Sequence, residues 1–326
     1  MAADWRPACD LRHLRLRAQM LSDIRLFFLH RQVLEVETPL LCHAAGTDPQ
    51  LDFFSCKLNF PSDSPELFLQ TSPEFAMKRL LAAGSGSIFQ ICKAFRNGES
   101  GRWHNPEFTM LEWYRLNFDL QALMTETAAL LQSLLLPANP AMRIEYVSYR
   151  QLFLEMTGLD ALAFDLSAYH EFANAHGYPE AVAICADQQT LWLDFLFSHC
   201  VQPQMPENTI LLVHAYPSAF SSLARIDSRD PRVAERFEVF VGGVELGNGF
   251  FELTDAEEQE ARFDREIAYR RRRGLRNVIK DRRLLAALRA GLPDCSGVAI
   301  GLDRLLMLIA GSRHIEEVLA FPLRNA

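Results

Sequence analysis

Apolar residues recur at helical spacing in several parts of the chain. Near its start, one face of a predicted helix at 11–30 would carry Leu14, Ala18, Leu21, Ile24 and Phe28. The same spacing, with capping and breaking residues at the ends, predicts helices at about 72–84, 120–136, 255–273 and 282–290. Alternating apolar and polar residues predict strands at about 33–39, 87–96, 106–115, 210–214 and 236–241.

The strands at 87–96 and 106–115 carry charge among apolar side chains. One face of the second strand would hold Phe108, Met110, Glu112 and Tyr114. An unpaired Glu112 carboxylate would be costly there. Arg96 lies at the end of the first strand, and a polar loop joins the two. The pattern is typical of a hairpin that presents cations and an aromatic ring to a planar, phosphate-bearing ligand; a hairpin in which arginine and glutamate simply pair is the alternative.

Three glutamates, Glu238, Glu245 and Glu252, are spaced seven residues apart in a glycine-rich segment. We interpret the first two as members of a β-hairpin that turns at Gly242-Gly243. This register makes Glu238 and Glu245 diagonal neighbours on one face of the hairpin. Adjacent carboxylates repel unless a cation lies between them, which favours Mg²⁺ carrying substrate phosphates. An exposed polar face is the alternative.

The apolar segment 298–310 contains Asp303 and Arg304. An arginine there must be paired or must reach into a cleft, because its charge cannot be removed. Ala299 and Gly301 leave room for a ligand or a backbone to approach closely. A buried pair between Asp303 and Arg304 is the alternative.

Cations also concentrate at 270–283, beginning with Arg270-Arg271-Arg272-Arg273. Such a patch could contact nucleic acid or an acidic protein. Several acidic residues precede it on the predicted helix and offer partners four positions away. A solvated helix face is therefore the favoured interpretation.

Composition limits the class of protein. The 326 residues are 49% hydrophobic and 23% charged, which is typical of a folded globular chain. We expect a single catalytic domain over 1–326, with a variable, partly helical insertion at about 150–210. Seven scattered cysteines without a C-x-x-C pair favour reduced thiols in the cytoplasm. No stretch is apolar enough for a membrane span, and the net charge of −8 argues mildly against a broad nucleic-acid surface.

Three motifs resemble those of class II aminoacyl-tRNA synthetases. They are Glu35-Val36-Glu37-Thr38-Pro39, then Phe95-Arg96 with His104-Asn105-Pro106-Glu107-Phe108, and Gly301-Leu302-Asp303-Arg304-Leu305. Thr71-Ser72-Pro73-Glu74 and Glu245-Leu246-Gly247-Asn248-Gly249 resemble the lysyl branch. The resemblance implies an α+β fold, with an antiparallel β-sheet of about six strands flanked by helices. It also implies ATP-dependent activation of a lysine-like amino acid by a cytoplasmic homodimer.

The motifs begin almost at the first residue, whereas lysyl-tRNA synthetases carry an N-terminal anticodon-binding domain. In this respect the chain resembles the elongation factor P–(R)-β-lysine ligases, which modify a lysine of a protein. Ala299 agrees with that resemblance, because the synthetases have glycine there. The implied partners are (R)-β-lysine and elongation factor P; neither a membrane nor tRNA is expected. Two alternatives stay open, namely a minimal enzyme that charges tRNA or activates α-lysine, and a non-catalytic paralogue that binds RNA or a protein through Arg270–Arg273.

The resemblance also implies the role of each site residue. Arg96 and Arg304 would be catalytic. ATP would contact Arg96, Asn97, Gly98, Glu99, His104, Asn105, Phe108, Glu245, Leu246, Gly301 and Arg304. The amino acid would contact Ser72, Pro73, Glu74, Glu112, Tyr114, Asn248, Glu252 and Ala299. Mg²⁺ would be bound by Glu238 and Glu245.

One motif departs from the family pattern. Motif 2 normally reads Arg-x-Glu, but here it reads Arg96-Asn97-Gly98-Glu99, with the glutamate one position later. Either Glu99 takes the usual role after a loop adjustment, or the contact to adenine comes from the backbone.

Overall fold

The computed structural model describes residues 5–59 and 65–326; residues 1–4 and 60–64 of the predicted domain lie outside them. The α-helices are α1 (Leu11–Leu29), α2 (Glu74–Ala82), α3 (Leu120–Leu135), α4 (Tyr149–Thr157), α5 (Leu166–Ala175), α6 (Glu180–Cys185), α7 (Gln189–Leu196), α8 (Ala256–Arg272), α9 (Arg282–Gly291) and α10 (Leu302–Ala310). The strands are β1 (Leu34–Glu35), β2 (Leu41–Cys42), β3 (Ser55–Lys57), β4 (Glu66–Leu69), β5 (Ile88–Phe95), β6 (Glu107–Leu116), β7 (Arg143–Ser148), β8 (Thr209–Pro217), β9 (Val233–Val241), β10 (Val244–Phe251) and β11 (Cys295–Gly301).

The prediction of an α+β fold is confirmed, but the predicted number of strands is too small. The described residues form an eight-stranded sheet in the order β1-β5-β6-β11-β10-β9-β8-β7. The pairs within the six inner strands, β5 to β8 in that order, are all antiparallel, whereas the edge strands β1 and β7 pair in parallel with β5 and β8. A small second sheet has the order β2-β4-β3.

The predicted strand at 33–39 is wrong in extent, because only Leu34 and Glu35 are in β1. This strand lies at the sheet edge, and within the described part of the chain it pairs only with β5. After one further backbone bond, from Val36 N to Phe89 O, the ladder ends. The side chain of Thr38 then donates to Gln90 Oε1 at 3.0 Å, which keeps motif 1 beside the sheet.

One face of the sheet packs against α1, α3 and α10 to form the main apolar core. Phe28 of α1 stacks on Phe89 of β5 with ring centroids 4.5 Å apart and meets the edge of Trp113 of β6. Ala18, which was expected on the buried face of α1, is exposed, and Met20 is buried instead. The core therefore fixes α1 over β5 and β6.

Two groups of helices cover the ends of the other face. Helices α2, α8 and α9 pack on one another at one end, around Met77, Phe263 and Leu285. At the other end, the segment expected as a partly helical insertion forms α4 to α7, which pack around Trp192 and Phe153 against β8 and β9. Polar sheet surface is left between the two groups. Among the described residues, no helix is long and apolar enough to cross a membrane.

Candidate active site

Four strands place one row of functional side chains on this second face. Glu112 of β6 is opposite Ala299 of β11, Ala299 is opposite Asn248 of β10, and Asn248 is opposite Glu238 of β9. Cross-strand partners point to the same side of a sheet. The expected hairpin register is confirmed as far as Glu245, which is opposite Phe240, and a β-bulge follows before Gly247. Residues that are distant in sequence thus lie side by side on one face of the sheet, which we call the floor of the site.

Glu112 is a buried carboxylate with two hydroxyl donors. Its side chain is 2% exposed and accepts hydrogen bonds from Ser72 Oγ at 2.7 Å and from Tyr114 OH at 2.6 Å. It does not pair with Arg96, contrary to the alternative considered for the hairpin. Burial, helped by the nearby charge of Glu74, raises the pKa of Glu112 to about 7. A cationic ligand beside this group would favour its ionised form.

Lys78 is a site residue that the sequence analysis missed. Its Nζ lies 2.6 Å from Glu74 Oε1 and 2.6 Å from Glu252 Oε2, in a fully buried position. Burial alone would lower the pKa of Lys78, but the two carboxylates raise it above its usual value. The available signal was the i,i+4 spacing of Glu74 and Lys78 in a predicted helix. The Lys78 ammonium thus pairs with two carboxylates, and the buried carboxylate of Glu112 lies nearby without a cation partner among the described residues, so this end of the site is acidic.

Gly297 is a second residue that the sequence analysis missed. A Cβ at Gly297 would lie 2.3 Å from Tyr114 Cε1 and 2.7 Å from Glu252 Oε1. Glycine at this position therefore allows the Tyr114 ring and the Glu252 carboxylate to lie close to the backbone of β11. Its position opposite Tyr114 in the β11–β6 ladder explains this close approach.

The opposite end of the site is cationic. Arg304 donates to Glu245 O at 2.8 Å, to Trp103 O at 3.2 Å and to His104 Nε2. Burial, followed by the charge of Arg304, lowers the pKa of His104, so the imidazole can be a neutral acceptor. Asp303 does not pair with Arg304. It accepts instead from Arg17 of α1 and from Thr109 N at 2.6 Å, which joins α1, β6 and α10.

Arg96 lies just beyond β5 and above an aromatic ring. Its guanidinium carbon is 5.1 Å from the centroid of Phe108, and its NH1 is 3.7 Å from Glu99 Oε1. The Nε of Arg96 is buried without a hydrogen-bond partner among the described residues. Such an arginine retains donors for an anionic ligand.

The extra residue of motif 2 is accommodated in a loop. Gly98 has a φ of 79°, a left-handed conformation that glycine adopts without strain. Asn97 Nδ2 donates to Asp52 at 2.6 Å. Glu99 then lies within 4 Å of both Arg96 and His104, beside the cationic end of the site.

Glu238 and Glu245 differ in their surroundings. Glu238 accepts from Tyr216 OH at 2.6 Å and pairs with Arg236, which the sequence analysis did not single out. Burial raises the pKa of Glu238 to about 7, against the opposing charge of Arg236. Glu245 is partly exposed, and its carboxylate is 4.0 Å from Arg304. No group of three or more His, Cys, Asp or Glu side chains is placed to bind a metal by itself in residues 5–59 and 65–326. One or two carboxylates suffice, however, for Mg²⁺ that is also bound by phosphates, and Glu245 fits that requirement best.

A single cavity of about 970 Å³ joins the two ends. The predicted residues that line it are Ser72, Pro73, Glu74, Arg96, Glu99, His104, Asn105, Phe108, Glu245, Leu246, Asn248, Ala299, Gly301 and Arg304. Glu112, Tyr114 and Glu252 lie behind this lining and are connected to it through Ser72, Glu74 and Lys78. Glu238 lines a smaller neighbouring cavity of about 180 Å³, which Glu245 also borders. Asn97 and Gly98 are not part of either lining.

The basic segment differs from the expected solvated face at its first residue. Arg270 is 2% exposed and donates to the backbone oxygens of Asp48 at 2.8 Å, Leu51 at 3.1 Å and Arg276 at 3.0 Å. It holds two loops in place and is not available to a partner. The next three arginines are exposed.

Comparisons with known proteins agree with this architecture. Residues 3–325 match the family model described as tRNA synthetases class II (D, K and N). A protein of Vibrio cholerae named elongation factor P--(R)-beta-lysine ligase is 47% identical over 99% of both chains. Proteins with the same name from Mannheimia succiniciproducens and Histophilus somni are 46% and 48% identical, over 97–99% of each chain. The chain therefore belongs to the class II tRNA synthetase family, and over nearly its full length it is similar to the elongation factor P--(R)-beta-lysine ligases.

Proposed function

We propose that this protein activates (R)-β-lysine with ATP and transfers it to the ε-amine of a lysine on elongation factor P. The observation that carries the proposal is the single cavity with a cationic end at Arg96 and Arg304 and an acidic end at Glu74, behind which Glu112 is bonded to the lining residue Ser72. A triphosphate and a doubly positive amino acid fit these two ends. The names of the similar proteins supply the acceptor.

In the first step, a carboxylate oxygen of the amino acid attacks the α-phosphorus of ATP. The bond from that phosphorus to the bridging oxygen breaks, pyrophosphate leaves, and an aminoacyl-adenylate remains. Arg96 would neutralise charge at the α-phosphate, and Arg304 with His104 would bind the outer phosphates. Phe108 would stack on adenine. Catalysis of this kind depends on positioning and charge stabilisation more than on a protein base.

In the second step, an unprotonated lysine ε-amine attacks the carbonyl carbon of the mixed anhydride. The bond from that carbon to the phosphate oxygen breaks, AMP leaves, and the new amide nitrogen loses a proton to solvent. The cavity borders exposed residues along α8 and α9, so an acceptor side chain has a route to the adenylate.

Mg²⁺ bound with the phosphates would supply charge neutralisation on the leaving pyrophosphate. Glu245, with its open carboxylate, and Glu238 behind it are the proposed ligands. The engagement of Glu238 by Arg236 and Tyr216 supports a secondary role for this residue.

The acidic end accounts for the selection of a diamino acid. Glu112 and Tyr114 would receive the side-chain ammonium, with Glu252 behind them, while Ser72 and Glu74 would receive the other amine. Asn248, whose Oδ1 accepts from Arg236 Nε at 3.1 Å, would orient the carboxylate. Ala299 lies between Glu112 and Asn248 in the cross-strand row, so its methyl group shapes the floor where a β-amino acid differs from an α-amino acid.

We also propose a cytoplasmic homodimer. The exposed leucines Leu26, Leu29 and Leu34 lie on α1 and on the edge strand β1, next to motif 1. A second copy of the chain covering them would remove apolar surface from water. Light scattering on the purified protein should give twice the chain mass.

The function is tested in two assays on one preparation. ATP–pyrophosphate exchange is measured with α-lysine and with each β-lysine enantiomer, and (R)-β-lysine should give the highest kcat/KM. Transfer is then followed by mass spectrometry of elongation factor P and by charging of tRNA. Modification of one lysine of elongation factor P supports the proposal. Faster transfer to tRNA would overturn it in favour of a minimal synthetase, and absence of exchange would favour a non-catalytic paralogue.

A further inference from the structure

Four exposed arginines line the outer part of the main cavity. They are Arg79 of α2, Arg271 of α8, and Arg282 and Arg283 of α9, and we call them the arginine rim. Among the described residues, Arg79, Arg271 and Arg282 have neither an ion-pair partner nor a side-chain hydrogen bond, and Arg283 has only a 3.5 Å contact to His43 Nδ1. Arg304, by contrast, already donates three hydrogen bonds to protein acceptors inside the cavity.

Of three acidic side chains near the rim, one is paired with a cation and two accept hydrogen bonds from neutral groups. Asp264 pairs with Lys280 at 2.9 Å, and Glu266 accepts from Thr47 Oγ1. Asp281 caps α9 by accepting from the backbone N of Arg283 at 2.8 Å and of Leu284 at 2.9 Å. The four rim arginines outnumber the two carboxylates, Glu266 and Asp281, that have no cation partner among the described residues, so the rim has an excess of positive charge, although the chain as a whole has a net charge of −8. A local excess of free cations on an acidic protein indicates an anionic partner.

The position of the rim distinguishes it from the nucleotide site. Arg96 directly follows β5, and Arg304 lies in the first turn of α10, so both are next to the sheet. The rim, in contrast, lies on the helices α2, α8 and α9. A long nucleic acid requires a broad basic surface, which the net charge disfavours. Guanidinium groups bind carboxylates in a bidentate manner, so a few carboxylates on a folded protein suit a compact rim.

We propose that the arginine rim docks acidic side chains of the protein that accepts the aminoacyl group. This inference rests on the proposed function, because it concerns the acceptor of the second step. Docking at the rim places the partner over the exposed edge of the cavity, from which its lysine reaches the adenylate. Electrostatic complementarity of this kind acts mainly on association and on discrimination between partners.

The test compares two double variants. Arg271→Glu/Arg282→Glu reverses two rim charges, and Arg272→Glu/Arg273→Glu reverses two exposed charges that do not line the cavity. We expect the rim variant to lose roughly ten-fold or more in kcat/KM for elongation factor P, within the range of electrostatic steering, and to show a weaker dependence on NaCl. Pyrophosphate exchange should be unchanged in both variants. If the glutamate variant does not fold, Arg271→Gln/Arg282→Gln replaces it in the test. This variant removes the two charges without reversing them, so we expect a smaller loss in kcat/KM.

Several results would overturn the inference. Equal transfer by both double variants would show that the rim does not dock the acceptor. A higher KM for ATP in the rim variant would assign the rim to the nucleotide, and loss of tRNA charging would assign it to RNA. These results differ from failure of the proposed function, in which the unmodified enzyme itself exchanges pyrophosphate but leaves elongation factor P unchanged.

Discussion

Replacing Glu112 with glutamine removes one charge from the floor of the site while nearly preserving its shape. The carboxylate is 2% exposed and accepts from Ser72 and Tyr114, and in our account it pairs with the ammonium of the amino acid. Truncating one partner of a buried charge pair costs about 2–5 kcal/mol. A loss of about 3 kcal/mol corresponds to a roughly 10²-fold higher KM for the amino acid. The KM for ATP should not change, since the nucleotide binds at the other end.

The same substitution changes the pH dependence of stability. The pKa of Glu112 is raised from 4.5 to about 7, chiefly by burial, so the folded protein binds this proton more tightly than the unfolded chain. The stabilisation of the folded state by this bound proton is fully present below about pH 4.5 and is lost as the pH rises to about 7. Two to three pKa units are worth about 3 kcal/mol. Glu112→Gln should therefore melt at a higher temperature, relative to the unmodified protein, at pH 8 than at pH 5.

Pyrophosphate exchange and thermal melting provide both readouts. Glu107→Gln is the matched control, because Glu107 is on the same strand, is exposed, and lies 3.4 Å from Lys93 at the surface. It should change neither KM nor the pH dependence of melting. The reasoning is refuted if Glu112→Gln leaves the KM for the amino acid unchanged, if it raises both KM values together, or if its relative melting temperature falls between pH 5 and pH 8.

Three further substitutions test other parts of the site. Lys78→Met should lower the free energy of unfolding, measured by urea titration, by about 3–5 kcal/mol, because it leaves buried carboxylates without their cation. Adding Glu252→Gln should restore part of that loss. Full stability of the single variant would contradict the ion-pair assignment. Gly297→Ala should lower the free energy of unfolding by about 1–3 kcal/mol, because the added methyl group overpacks against Tyr114. It should also raise the KM for the amino acid in exchange assays. An unchanged KM would show that substrate binding does not require the close approach of the Tyr114 ring to Gly297. Arg304→Lys should lower kcat of exchange by about 10²–10³ with little change in melting temperature; activity near that of the unmodified enzyme would remove Arg304 from the catalytic step.

The local patterns predicted the central part of the fold. Gly242 and Gly243 both have positive φ, as a two-residue hairpin turn requires, and that turn fixed the register of Glu245. Strand alternation correctly placed Glu112 and Tyr114 on one face. The family resemblance supplied the order of motifs, which local patterns alone left ambiguous.

What the sequence did not predict depends on contacts between distant segments. Lys78 has the pattern of an ordinary helical lysine, and its burial follows only from the packing of α2 against Glu252. Gly297 lies inside a strand, where no turn signal draws attention to it. Its importance comes from the Tyr114 ring of the neighbouring strand, which packs against it. Arg270 looked like surface charge, yet three backbone oxygens from two loops surround it. The short strands β2, β3 and β4 contain too few residues for an alternation pattern.

The most direct test of the central claim is a crystal structure with a non-hydrolysable analogue of the β-lysyl-adenylate. The account predicts the adenine ring on Phe108 and the phosphate-like group at Arg96, both in the 970 Å³ cavity, and the terminal ammonium at the acidic end of that cavity, directed toward Glu112 and Tyr114 behind its lining. Binding of the analogue elsewhere, or with its ammonium group directed away from Glu112, would contradict it.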